Sequence, residues 1–204
     1  MKSNGRKNKE SIENPIDNLI IKLIYITNPF FYKLGFTPNT FTTFSIIFGF
    51  LSAYLLYREN YILCALMYAI SYILDCYDGN FARRYNMVTK YGDLYDHIGD
   101  FTKTLAIILV FITSKKYNFK CKLFLLLTMS ILLFMMLWHL GCQEKIYSKK
   151  KKIDLNDSLS IHKKLCINEK HIVYSRHFGT GTIALLFTLI LLFLNKLNNL
   201  FIKL

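Results

Sequence analysis

Five runs of mostly apolar residues, at 39–57, 61–80, 93–114, 123–141 and 178–195, leave this chain few ways to fold. Each is close to the ~20 residues that a helix needs to cross a bilayer. Within hydrocarbon a lone segment satisfies its backbone only as a helix. The expected fold class is therefore all-α, a polytopic membrane helical bundle with five transmembrane helices. The connection Arg58-Glu59-Asn60 is short, so the first two spans should be antiparallel neighbours. With 53% hydrophobic residues among 204, the chain is too apolar for an ordinary soluble domain.

Ahead of the spans, residues 1–14 are polar and basic, with Lys2, Arg6, Lys7 and Lys9, and read as a disordered basic tail. That leaves 15–204 as one membrane domain. No cleavable signal peptide is expected, since the first apolar stretch follows this polar leader. Asn14-Pro15 is a helix start, with Asn as cap and Pro at the first helical position. Ile16, Leu19, Ile20, Leu23 and Ile24 then recur at helical spacing, opposite Asp17, Asn18 and Lys22. Too short and polar to span, this run reads as an N-terminal interfacial amphipathic helix ending near Asn28-Pro29. A packing helix on the aqueous side is the other reading.

The net charge of +13 comes from lysine-rich ends and loops. The tail, the 81–90 connection and the 142–177 loop, which holds Lys149 to Lys152, fall on one side. Basic loops face the cytosol, so that side is expected to be cytosolic. Lys115, Lys116, Lys120 and Lys122 go against this count. The long apolar runs argue against nucleic acid as a partner. Trp138 is expected at a membrane interface. Cys64, Cys76, Cys121, Cys142 and Cys166 are odd in number with no C-x-x-C spacing, so neither a disulfide framework nor a zinc site is expected.

Where the second run ends and the third begins, four carboxylates gather. Asp75 and Asp78 are three residues apart, and Asp96 and Asp100 four apart, so on helices each pair shares a face. In an antiparallel hairpin all four converge at one end. Such a group repels itself, and Arg83 and Arg84 could neutralise two at most. Divalent cations would neutralise all four, and hard oxygen ligands suit Mg²⁺, Mn²⁺ or Ca²⁺ over zinc. Two solvated acidic helix ends are the bland alternative.

The full order, Asp75-x2-Asp78-Gly79-x2-Ala82-Arg83-x8-Gly92-x3-Asp96-x3-Asp100, resembles the signature of the CDP-alcohol phosphotransferases. Pro38-Asn39-Thr40-Phe41-Thr42 adds a weaker likeness upstream. The resemblance implies transfer of a phospho-alcohol or phosphatidyl group from a CDP-alcohol or CDP-diacylglycerol donor to a hydroxyl acceptor. CMP is released, and the setting is phospholipid biosynthesis. It implies two ions, Mg²⁺ or Mn²⁺, held by Asp75, Asp78, Asp96 and Asp100, with Asp100 also the catalytic base. It implies that Gly79 admits the nucleotide, that Ala82 is small for the same reason, and that Arg83 holds a phosphate. Thr89, Asn39 and Thr42 would contact the nucleotide, or serve as helix caps and interfacial polar residues. His97 follows Asp96 as in choline and ethanolamine phosphotransferases, while Asp75-Cys-Tyr-Asp-Gly looks closer to phosphatidyltransferases, so the acceptor stays open. Asp93 lies outside the signature and is taken as solvated. The family implies six spans where five are counted, so the sixth is missing or part of 153–177 re-enters the membrane. It also implies membrane lipids as partners, a homodimer, and an endomembrane, the endoplasmic reticulum, if the source is eukaryotic.

Two other function classes remain open to such a chain. One is a non-catalytic protein that binds or conducts cations, with Asp100, Lys103 and His139 as polar stepping points. The other is an inactive scaffold, which has no physical reason to hold all four aspartates. The Lys149 to Lys152 run either fixes topology or binds anionic headgroups, and Arg176 and His177 are placed where they could face the site.

Overall fold

The computed structural model describes residues 5–151 and 163–203, and every described element is helical. The order is α1 Pro15–Lys33, α2 Pro38–Tyr57, α3 Tyr61–Tyr85, α4 Lys90–Thr113, α5 Phe119–Lys151, the single turn α6 Ile172–Ser175, and α7 Thr180–Lys203. Four stretches are long and apolar enough to cross a membrane: α2, α3, Phe119–Ile146 within α5, and Glu169–Lys203. Helix α4 has the length, 24 residues, but carries Asp93, Asp96, Asp100 and Lys103. The all-helical bundle expected from the apolar runs is the fold observed.

Boundaries moved where local chemistry outweighed hydropathy. Asn14 caps α1 as expected, its Oδ1 accepting from Ile16 N at 2.9 Å. The helix then runs through Pro29 to Lys33 instead of stopping near Asn28. Helix α2 starts in a reciprocal cap between Thr37 and Thr40 with Pro38 in its first turn. Asn60 caps α3, its Oδ1 accepting from Leu63 N at 3.2 Å. Helix α3 continues past residue 80 until Asn86, whose φ of 57° closes it in the left-handed region. The 142–177 loop is shorter than expected, because α5 carries on to Lys151. That includes the backbone of Lys149 to Lys151; Lys152 lies outside the described residues. So does much of the segment considered for re-entry, and its described end forms short helical turns.

The chain divides into two compact units. The first comprises Met1–Lys7, Ile20–Leu125 and Ala184–Leu204. Within it α2 packs against both α3 and α4. Small residues allow the close approach. Ser71 Oγ donates to Ser45 O at 2.7 Å, and Ser52 Oγ to Cys64 O at 2.9 Å. A Cβ on Gly99 of α4 would meet Ile46 Cδ1 of α2 at 2.6 Å. One core gathers Leu56, Cys64, Ile107, Cys121 and Leu194. A second, aromatic one is built from Phe41, Tyr77 and Phe81, and the Phe41 and Tyr77 rings stack 4.9 Å apart.

The second unit comprises Asn8–Leu19 and Leu126–Ile183. Asp17 is buried there and accepts from Thr180 Oγ1 at 3.0 Å and Gly181 N at 3.2 Å, capping α7. Asn18 is buried too, donating to Glu10 O at 2.9 Å. Asp17 and Asn18 are thus turned inward here, while Leu19, Leu23, Ile26 and Phe30 along the helix are exposed. Apolar side chains facing outward suit a helix lying at a lipid boundary. Arg176 donates to Ser11 O at 2.6 Å, so it is engaged with the leader. Trp138 packs partly buried against the Cys142 cluster, with its ring centroid 5.9 Å from that of His171. Against expectation, Cys142 and Cys166 form a disulfide. Their spacing gives no sign of it. The pair exists because residues 163–178 fold back within this unit.

Candidate metal centre

The cluster is assembled from α3 and α4, with α2 behind it. Asp75 and Asp78 sit one turn apart near the end of α3, and Asp96 and Asp100 one turn apart near the start of α4. Asp75, Asp78 and Asp96 each offer an oxygen within 4.8 Å of the others. Oxygens around a hard cation at ~2.1–2.5 Å lie ~3–5 Å apart, so the cluster already has the dimensions of a coordination sphere. The donor set is all carboxylate, which favours Mg²⁺, Mn²⁺ or Ca²⁺. Asp96 Oδ1 is buried and has no hydrogen-bond partner among the described residues, as expected for an oxygen reserved for an ion. The residues present fit a divalent metal.

Asp78 is buried at 6% exposure and is fixed from behind, its Oδ2 accepting from Thr42 Oγ1 at 2.7 Å. Asp100 is joined to the group through Lys103. Lys103 Nζ lies 2.7 Å from Asp100 Oδ1 and 2.8 Å from Asp75 Oδ1, and donates to Ser45 Oγ at 2.6 Å. Lys103 thus supplies a positive charge to Asp75 and Asp100, where Arg83 and Arg84 alone could neutralise two carboxylates at most. Arg84 instead donates to Tyr25 O at 2.6 Å and lies over the Tyr25 ring. Arg83 Nε donates to Gly5 O at 2.8 Å. A Cβ on Gly79 would stand 3.1 Å from Arg83 Nη1, so the glycine leaves room for the guanidinium against the helix.

At the mouth of the hairpin, Asn39, Thr89 and Gly92 come together. Thr89 caps α4, its Oγ1 accepting from Gly92 N at 3.0 Å. A Cβ on Gly92 would lie 3.2 Å from Asn39 Oδ1. Of the three polar residues carried over as nucleotide contacts, Thr89 is thus a helix cap and Thr42 an Asp78 partner. Asn39 stands exposed beside Gly92. His97 Nδ1 is 3.9 Å from Asp96 Oδ2, and Asp93 is exposed. Sequence reasoning gave Lys103 no role beside the carboxylates and did not single out Ser45. The available signal was that Lys103 lies three residues after Asp100, on the same helical face.

A family model described as CDP-alcohol phosphatidyltransferase matches residues 36–204. The chain belongs to the CDP-alcohol phosphatidyltransferase family. An uncharacterised protein of Aquifex aeolicus (strain VF5) is 37% identical over 71 residues, 35% of this chain and 36% of that protein. An archaetidylinositol phosphate synthase of Pyrococcus horikoshii is 36% identical over 64 residues, 31% of this chain and 34% of that protein. The matched part is thus about a third of either curated relative. No solved structure matches the chain. The carboxylate hairpin lies inside the family-matched stretch, and α1 precedes it.

Proposed function

We propose that the protein transfers a phospho-alcohol or phosphatidyl group from a CDP-linked donor to a hydroxyl acceptor at a membrane surface, in phospholipid biosynthesis. The observation that carries this reading is the meeting of signature carboxylates from two helices, with Asp75, Asp78 and Asp96 oxygens within 4.8 Å. Asp75, Asp78 and Asp96 would hold a divalent ion, Mg²⁺ or Mn²⁺, with Asp100 beside them. When bound, that ion neutralises the diphosphate and stabilises charge developing on the transferred phosphoryl group.

The side chains supply position and proton transfer. The acceptor oxygen forms a bond to the β-phosphorus of the donor. The bond from that phosphorus to the bridging oxygen breaks, and CMP leaves with the electron pair. The acceptor proton goes to the Asp100 carboxylate, which at 43% is more exposed than Asp75 at 22% or Asp96 at 27%. Arg83 would take a phosphate oxygen with its guanidinium fork, the geometry that Gly79 leaves open. Asn39 and Thr89 would line the approach to the nucleotide, with Thr42 behind Asp78.

The basic 81–90 connection and leader support a site facing the cytosol, where nucleotides are soluble, and in a eukaryote the endoplasmic reticulum. A second copy of the chain is the family's usual partner. One relative is an archaetidylinositol phosphate synthase, so an inositol phosphate is the first acceptor to try. The test is CMP release from CDP-diacylglycerol and CDP-alcohol donors by purified protein in detergent, with Mg²⁺ or Mn²⁺. Turnover that disappears in Asp100→Asn, with an unchanged melting temperature, is expected. Folded protein that releases no CMP from any donor, yet passes cations in liposomes, would support the conducting alternative instead.

A further inference from the structure

Lys103 is placed where a second cation would sit. Its ammonium has three hydrogens, and three acceptors surround it: Ser45 Oγ at 2.6 Å, Asp100 Oδ1 at 2.7 Å and Asp75 Oδ1 at 2.8 Å. The side chain is only 10% exposed. Its stem crosses α2 at Gly49, where an added Cβ would meet Lys103 Cβ at 2.7 Å and Cδ at 2.9 Å. The lysine is therefore enclosed along its length as well as at its tip. It cannot leave without giving up three charge-assisted or hydroxyl contacts and re-entering a membrane helix interface.

We infer that this centre holds one divalent ion, at Asp75, Asp78 and Asp96, and that the Lys103 ammonium takes the place of the second ion that the family likeness implies. The inference rests on the reading of the carboxylates as a metal centre. The oxygens sort accordingly. Asp75, Asp78 and Asp96 converge on one point, and Asp96 Oδ1 is unsatisfied among the described residues. Asp100 is not in that triad, and its Oδ1 is committed to Lys103. A second ion bridging Asp75 and Asp100 through their Oδ1 atoms would share both with the ammonium, and like charges would face each other across them. Lys103 also holds Asp100 in place, which makes it a positioning residue for the proposed base.

The test is Mn²⁺ stoichiometry on the full chain in detergent, by equilibrium dialysis and electron paramagnetic resonance, with Mn²⁺ alone and with Mn²⁺ plus CDP. One Mn²⁺ per chain in both conditions, with an uncoupled six-line spectrum, is expected of the wild type. Lys103→Met should double the bound Mn²⁺ and produce an exchange-coupled pair, while Lys103→Arg, which keeps the charge, should stay at one. Two Mn²⁺ in the wild type under either condition overturns the inference and leaves the metal-centre reading standing. Equal binding by wild type and a folded Lys103→Met also overturns it. No Mn²⁺ in any sample overturns the metal-centre reading itself. The wild-type count decides the matter even where Lys103→Met fails to fold.

Discussion

A Cβ on Gly49 would stand 2.7 Å from the Cβ of Lys103. That position is on the rigid part of the lysine, not its flexible end, so the helices would have to part. Gly49 on α2 is what lets an α4 side chain reach an α3 carboxylate. Gly49→Ala should cost ~1–3 kcal/mol of stability through overpacking. It should also free Lys103 from Asp75. A lowered melting temperature together with altered Mn²⁺ binding is the expected pair of results. An unchanged melting temperature would show that α2 and α4 are not packed this way.

Thr42 supports Asp78 from behind, donating at 2.7 Å to a carboxylate that is 6% exposed. Second-layer hydrogen bonds of this kind commonly change metal affinity by ~10–100-fold. Thr42→Val, which keeps the shape and removes the donor, should weaken Mn²⁺ binding by about that factor. Thr42→Ser should bind like the wild type. Calorimetric titration separates the two.

Gly79 and Arg83 make a different kind of pair. A Cβ at residue 79 would lie 3.1 Å from Nη1 and 3.4 Å from Nη2 of Arg83, both at the free end of a flexible chain. Gly79→Ala should therefore fold well, because Ala favours the helix by ~1 kcal/mol. The displaced guanidinium should lose a charge-assisted phosphate contact of ~1.5–3 kcal/mol. The expected kinetic result is KM for the CDP donor raised about ten- to a hundredfold. A KM within twofold of wild type would remove Arg83 from the phosphate-binding role.

The Cys142–Cys166 bridge belongs to the unit that does not contain the carboxylates. A cross-link closing a loop of this size is worth ~3 kcal/mol. Cys142→Ser should lower the melting temperature of protein kept oxidised and have no effect in the presence of reductant. Mn²⁺ binding should not change. A variant that melts like the wild type under oxidising conditions would show the bridge to be absent.

The carboxylate cluster was legible in the sequence because its geometry is mostly local. Asp75 and Asp78, like Asp96 and Asp100, share a face through helical spacing alone. The antiparallel α2–α3 pair follows from a three-residue connection, Arg58 to Asn60. Periodicity separates the two faces of α1 without saying which residues meet protein: Asp17, Asn18 and Ile24 are buried. In a membrane setting the apolar face can look outward to lipid, as Leu19 and Ile26 do. The full length of α3 depended on Asn86 adopting a positive φ, a choice that hydropathy does not register.

From the amino-acid order alone came the long helices and the acidic spacing that marks the site. Each depends on residues within one or two turns of each other, where the backbone sets the distance. Only the tertiary structure decided that Lys103 bridges Asp75 and Asp100, that Gly49 admits it, and that Cys142 finds Cys166. These contacts depend on the register between helices, which arises from side chains packing across their interfaces and has no counterpart in linear spacing.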